Sequence, residues 1–222
     1  MLNIPAKVLV SEKLGTVSTL LTEAAKSTYL MVLGHGAGAG MHHPFMETLA
    51  QALSSETIST LRYQFPYMEQ GRRRPDYPSI AHLTIARVLE SIPQDIGIPV
   101  ILAGKSFGGR MASQYIVKQQ NHAVSALVFY GFPLHSPAKP GTDRADHLKE
   151  IDIPMLFLQG DRDALARIDL LSPLLLSHPN ATLEILQGGD HSFKFLKKSG
   201  VTQEEGILRL ADHTRSFLDG IF

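Results

Sequence analysis

A strand, a tight turn and a helix are predicted around Ser106, and this segment constrains the fold more than any other. Residues 99–103 form an apolar run typical of a buried strand, and Gly104 and Gly108 flank the serine. Apolar residues then recur at helical spacing: Met111, Ala112, Tyr115 and Ile116. A serine forced onto such a G-x-S-x-G turn needs neighbours without side chains. Its hydroxyl would project beside the free amides of a new helix, which favour developing negative charge. A glycine-rich turn with an incidental serine gives the same short pattern, so the interpretation depends on the rest of the chain.

Composition limits the classes of protein that the chain can belong to. Its 222 residues, 44% hydrophobic, predict one globular domain over residues 1–222 that buries roughly 70% of its unfolded surface. Lysine plus arginine equals aspartate plus glutamate at 21 each, so no net charge attracts nucleic acid or an anionic membrane. The absence of cysteine excludes disulfides, thiolate zinc sites and a cysteine nucleophile. No apolar run has the length of a signal peptide or a membrane span, so we expect a soluble, cytoplasmic protein. The oligomeric state stays open.

Predicted strands and helices alternate along most of the chain. Apolar runs predict strands at 28–33, 57–63, 99–103, 126–130, 154–159 and 182–186. Helices are predicted at 44–54, from an N-cap at Ser79 to Pro93, after Ser106, at 164–176 with a break near Ser172 and Pro173, and from Thr202 onward, where a capping box lies. Two weaker strands lie at 7–10 and 15–21, with a helix at 20–25 as a competing interpretation. The alternation predicts an α/β sandwich with a mostly parallel sheet.

Polar residues follow four of the predicted strands. His35, Ser106, the segment 160–163 and His191 each come shortly after an apolar run. The carboxyl ends of parallel strands are where this type of sheet carries its chemistry. Serine, aspartate and histidine also occur in the chain order that an α/β-hydrolase sheet imposes on its triad.

At these positions the sequence resembles the α/β-hydrolase superfamily, and the resemblance covers nearly the whole chain. It is most similar to small dienelactone-hydrolase-like predicted hydrolases without a lid, in segments LGHGAGAG at 33–40, RYQFP at 62–66, GKSFGGR at 104–110 and GFPL at 131–134. The resemblance implies an α/β-hydrolase fold and a Ser-Asp-His serine hydrolase. Dienelactone hydrolases use a cysteine nucleophile, which this chain lacks, so their substrate is not implied.

The resemblance assigns the roles in a triad. Ser106 would be the nucleophile and His191 the base that takes its proton and later returns it to the leaving group. The acid tends to sit third after the glycine, which favours Asp163 and leaves Asp161 to cap or brace the turn. Asp190 adjoins the histidine in sequence, but neighbouring side chains diverge, so we expect it to be solvated.

The oxyanion hole requires two amides that point at the substrate carbonyl oxygen. The amide of Phe107, which follows the nucleophile, would be one, and the resemblance points to Ala37 for the other.

The histidines near this loop allow other roles. His35 would brace its loop, and the alternative is that His35 acts as a second base. A metal site at His35, His42 and His43 is a weaker interpretation, because no matching carboxylate spacing accompanies them. We therefore expect no metal and no cofactor.

The remaining charged residues and loops leave alternatives open. Residues 72–74 are three arginines that would either bind a carboxylate or phosphate of the substrate or lie in a solvated loop. Lys105 and Arg110 could tune the mouth of the site, although an ion pair is the expected role of Arg110. The loops at 67–77 and 132–140 are expected to shape the pocket. Only some twenty residues separate the strands at 126–130 and 154–159, so we expect no cap domain and an open site that suits small esters.

Three functions follow from this interpretation. The first is a cofactor-independent serine hydrolase that cleaves a carboxylic ester or related acyl bond of a small-molecule substrate. The second is a hydrolase-fold binding or scaffold protein with little turnover, because a fold does not guarantee activity. The third keeps the acyl-enzyme but changes the bond or acceptor, as in a thioesterase, a peptidase or an acyltransferase.

Overall fold

The apolar runs of the sequence form the strands of one eight-stranded sheet. The computed structural model describes residues 2–119 and 123–222. Its strands are β1 (Lys7–Ser11), β2 (Gly15–Thr22), β3 (Tyr29–Gly34), β4 (Ile58–Tyr63), β5 (Val100–Lys105), β6 (Val124–Tyr130), β7 (Met155–Gly160) and β8 (Ala181–Leu186). Their order across the sheet is β1-β2-β4-β3-β5-β6-β7-β8.

The sheet is parallel apart from its first two strands. β1 and β2 form an antiparallel pair, and β2 also pairs antiparallel with β4. All the other neighbouring pairs are parallel: β4 with β3, β3 with β5, β5 with β6, β6 with β7 and β7 with β8. The helix considered for 20–25 is wrong, because β2 continues to Thr22, which pairs with Thr60 of β4.

Within the described residues, five α-helices lie between strands and a sixth follows the last strand. They are α1 (Pro44–Ser55), α2 (Pro66–Glu69), α3 (Pro78–Glu90), α4 (Phe107–Lys118), α5 (Ile168–Leu176) and α6 (Gln203–Ile221). The N-cap of α3 is Tyr77, not Ser79 as predicted, because Pro78 takes the first helical position, where its missing amide costs nothing. The helix predicted from residue 164 begins only at Ile168 and continues past Pro173.

The helices cover both faces of the sheet. Because side chains alternate along a strand, Leu30 and Val32 of β3 face one core and Met31 and Leu33 face the other. The first core is shared with α3, α4 and α5, and the second with α1 and α6. The two layers leave the carboxyl edge of the central strands open for loops.

The connection between β6 and β7 determines access to that edge. Residues 131–154, between β6 and β7, hold only a 3-10 helix, Asp143–Glu150, so no cap domain is inserted there, as predicted. None of the helices in the described ranges is long and apolar enough to cross a membrane.

Candidate active site

Ser106 lies on the turn between β5 and α4 in a conformation that few side chains adopt. Its φ of 49° and ψ of −110° place it in a strained region that costs of order 1–3 kcal/mol. The flanking glycines make the turn possible, since a Cβ on Gly104 would lie 2.2 Å from the nitrogen of Gly109. A Cβ on Gly108 would lie 2.5 Å from the carbonyl oxygen of Gly34. The strand and helix therefore cross too closely for any other residue.

A chain of hydrogen bonds joins Ser106 to two residues from distant parts of the sequence. The Oγ of Ser106 lies 2.9 Å from Nε2 of His191, and Nδ1 of the same ring lies 2.6 Å from Oδ2 of Asp163. The carboxylate can only accept, so Nδ1 carries the proton and Nε2 presents its lone pair to the serine hydroxyl. The Asp163 side chain is fully buried and that of His191 is 22% exposed. This is the geometry in which an imidazole removes a hydroxyl proton.

The two aspartates after β7 have different partners. Asp163 also accepts the amide of Leu165 at 2.7 Å and a short hydrogen bond from the side-chain amide of Gln159. Asp161 was expected to cap or brace its own turn, but it accepts the amide of Gly188 at 2.6 Å and so holds the loop that carries the histidine. Gln159 was not predicted as a site residue, although it is the one polar side chain within the apolar run of β7 and is fully buried.

The loop after β8 is held in place by several contacts that the sequence analysis did not anticipate. Oδ1 of Asp190 accepts the amides of Ser192 at 2.8 Å and Lys194 at 2.9 Å, two hydrogen bonds at the exposed surface of the loop. Nζ of Lys105 donates to the carbonyl oxygen of His191 at 2.6 Å. In the sequence, the one indication of a contact at this position was a charged lysine at the end of an otherwise apolar strand.

The two amides predicted for the oxyanion hole lie in the loop after β3 and at the start of α4. Within residues 2–119 and 123–222, neither the amide of Ala37 nor that of Phe107 donates to a protein acceptor. A Cβ on Gly36 would lie 3.8 Å from Cβ of Ser106, which shows how close this loop comes to the serine. Two free amides beside a hydroxyl are suited to bind an oxyanion.

His35 braces the same loop and is too deeply buried to act as a second base. Its Nδ1 lies 2.9 Å from the carbonyl oxygen of Gly36, and its Nε2 accepts the amide of Phe65 at 3.1 Å. Burial lowers the pKa of His35 to about 4, although the Gly36 carbonyl and the charge of Asp76 oppose the shift. The ring is therefore neutral and both nitrogens are occupied.

A cavity of about 670 Å³ opens from the serine between the first turns of α1 and α6. Its apolar wall includes Phe45, Met46 and Ile207, and its outer part is polar: Thr48, Gln51, Lys194, Gln203 and Glu204. The loops at 67–77 and 132–140 do not line it, so the expectation that they shape the pocket is wrong. The reason is that the cavity lies on the α1 and α6 face of the sheet, whereas Tyr67, Phe132 and Leu134 belong to the opposite core.

The arginines of the sequence analysis also lie outside this cavity. Arg72 forms an ion pair with Asp76 at 2.8 Å, and Arg74 lies over the ring of Tyr77 at 5.7 Å. The ion pair expected for Arg110 is wrong: the guanidinium forms none within residues 2–119 and 123–222, and its Nε is buried there without a hydrogen-bond partner. Burial, reinforced by the charge of Arg144, lowers the pKa of Arg110.

No cluster of three or more potential metal ligands occurs in residues 2–119 and 123–222.

The fold and the serine turn define a class of protein, the α/β hydrolases. The chain belongs to this family, because the family profile of the alpha/beta hydrolase domain matches residues 27–219. Three solved structures share the fold: a serine hydrolase homologue from Coxiella burnetii (19% identity, 95% of this chain and 98% of that chain covered, TM-score 0.72), a dienelactone hydrolase from Anabaena variabilis (17%, 99% and 98%, 0.74) and an α/β serine hydrolase without lid from Xanthomonas campestris (18%, 95% and 96%, 0.67).

Proposed function

We propose that this chain is a serine hydrolase that cleaves a carboxylic ester or related acyl bond of a small substrate through an acyl-enzyme on Ser106. The observation that carries the proposal is the continuous hydrogen-bonded chain from Ser106 through His191 to Asp163. Ser106, Asp163 and His191 follow the carboxyl ends of β5, β7 and β8, respectively. Serine, aspartate and histidine is the chain order of an α/β-hydrolase triad.

In the proposed reaction, Ser106 Oγ attacks the substrate carbonyl carbon while His191 Nε2 takes the hydroxyl proton. The amides of Ala37 and Phe107 bind the oxygen that becomes negative, and each such donor is worth about 10²- to 10³-fold in rate. The buried carboxylate of Asp163 stabilises the imidazolium that forms. The histidine then protonates the leaving group, and water releases the acyl group by the reverse sequence of proton transfers.

The cavity supports a small substrate. Its volume of about 670 Å³ lies within the range of about 300–1,000 Å³ that is typical of small-molecule sites. Its apolar residues Phe45, Met46 and Ile207 are buried, whereas the amide, hydroxyl and charged side chains that complete the lining are more exposed. A long alkyl chain would therefore contact polar groups, which disfavours lipid esters.

Hydrolysis of a series of p-nitrophenyl esters, from acetate to palmitate, tests the proposal. We expect turnover of the short esters that disappears in Ser106→Ala and falls as the acyl chain lengthens. Ser113→Ala is a matched control, because Ser113 Oγ also lies 2.7 Å from a histidine nitrogen, Nε2 of His147, but is fully buried. A folded wild-type protein without turnover on any ester would favour the binding or scaffold alternative.

A further inference from the structure

The Lys105 ammonium lies beside the proposed active site without a carboxylate partner. It is the last residue of β5, directly before Ser106. Its Nζ donates to the carbonyl oxygen of His191 at 2.6 Å and lies 5.4 Å from the ring centre of Phe193 and 5.9 Å from that of Phe45. It forms no ion pair within residues 2–119 and 123–222. One carbonyl and two aromatic faces thus hold the charge.

These contacts join the nucleophile strand to the loop that carries the histidine. The other contacts of that loop lead elsewhere: Asp161 holds Gly188, Asp190 closes a local turn, and Gln203 of α6 donates to the carbonyl oxygen of Ser192 at 2.9 Å. Phe193 is buried, has a positive φ of 55° and stacks on Phe45 with ring centres 5.9 Å apart. Lys105, which directly precedes Ser106, therefore fixes the backbone of His191 relative to the end of β5.

We propose that Lys105 is a positioning residue that sets the distance between His191 and Ser106. This inference rests on the proposed function, since it assigns a role within the same site. Lys105 also lines the cavity, but its ammonium donates to the His191 carbonyl and lies over the two rings, so we assign its action to the histidine and not to the substrate.

The cost of burying this charge supports a role other than stability. Burial lowers the pKa of Lys105 to about 8, although Asp163 and Asp190 oppose the shift. Replacing buried charged groups by apolar side chains of similar volume often leaves stability unchanged or raises it when no partner charge is left unpaired, and Lys105 has no ion-pair partner within residues 2–119 and 123–222. Lys105→Met should therefore keep the fold while it removes the hydrogen bond to the loop.

The test compares Lys105→Met, Lys105→Arg and Lys118→Met with the wild type. Lys118 is the control because it is exposed at the far end of α4. A short p-nitrophenyl ester gives kcat and KM, a fluorophosphonate gives the rate of covalent labelling, and thermal unfolding gives Tm. We expect Lys105→Met to lower kcat about 10- to 100-fold, the scale for misplacing a reacting group by about 1 Å, with KM within about twofold. Labelling should slow by the same factor, Lys105→Arg should recover part of both rates, and Lys118→Met should match the wild type.

Each other outcome overturns a specific claim. Wild-type kcat and labelling in Lys105→Met would overturn the positioning role, and so would a raised KM with unchanged kcat, which would mean that the lysine contacts the substrate. If Lys105→Met does not fold, Lys105→Arg decides, because a charge-retaining variant with the shifted guanidinium should still lower kcat without changing KM; wild-type kcat in that variant would overturn the role. Failure of the wild type to label would instead refute the proposed function.

Discussion

Acidification should destabilise the protein through His35, and the structure allows the size of the effect to be worked out. The buried ring donates from Nδ1 to a carbonyl and accepts an amide at Nε2, so protonation would place two donors face to face. Its pKa is about 4 in the folded state against 6.5 in the unfolded chain. Between these values the unfolded state binds more protons, so stability is fully present above about pH 6.5 and is lost as pH falls toward 4. Linkage gives a loss of about 2 kcal/mol between pH 7 and pH 5.

Urea unfolding at pH 7 and pH 5 measures this loss. The comparison uses the wild type, His35→Asn and a control, His42→Asn, whose side chain is 62% exposed. His82 and His147, whose pKa values burial also lowers to about 4, titrate equally in all three proteins and cancel in the difference. We expect the wild type and His42→Asn to lose about 2 kcal/mol more than His35→Asn on acidification. An equal loss in all three proteins would refute the reasoning that His35 is held neutral by burial.

Three further changes test separate parts of the account. Asp163→Asn should lower kcat by about 10³- to 10⁴-fold in an ester assay, because an amide cannot stabilise the imidazolium, whereas Asp161→Asn should lower it less than about tenfold; equal losses would contradict the assignment. Gly104→Ala should abolish the soluble fold or lower Tm sharply, because its Cβ would lie 2.2 Å from the nitrogen of Gly109, and a wild-type Tm would show that the turn is looser than described. Thr202→Ala should reduce the free energy of unfolding by about 1 kcal/mol in urea, since it removes the capping box of α6; no loss would mean that this helix end does not limit stability.

The sequence predicted the parts of this protein that depend on local chemistry. The apolar runs and their alternation with helical patterns predicted the sheet, because each strand is a short continuous segment. The serine turn was also local, since its glycines adjoin Ser106. The choice of Asp163 over Asp161 needed the family resemblance, because composition and spacing alone did not separate two carboxylates two residues apart.

The sequence could not predict contacts that depend on how distant segments meet. The link from Lys105 to the His191 carbonyl joins residues 86 positions apart, and no local pattern marks a backbone oxygen as its acceptor. The cavity was misplaced for a similar reason, because its walls come from α1 and α6, which are distant in sequence. The N-cap of α3 was placed two residues too late, because a serine was preferred over the residue before Pro78.

Mass spectrometry of the intact protein after exposure to a fluorophosphonate tests the central claim most directly. The account predicts a single adduct that peptide mapping places on Ser106, and no adduct in Ser106→Ala. Ser113→Ala should form the adduct at the wild-type rate, because the hydroxyl of Ser113 is fully buried. A folded wild-type protein that forms no adduct, or forms it at another residue, would contradict the claim that Ser106 is an activated nucleophile.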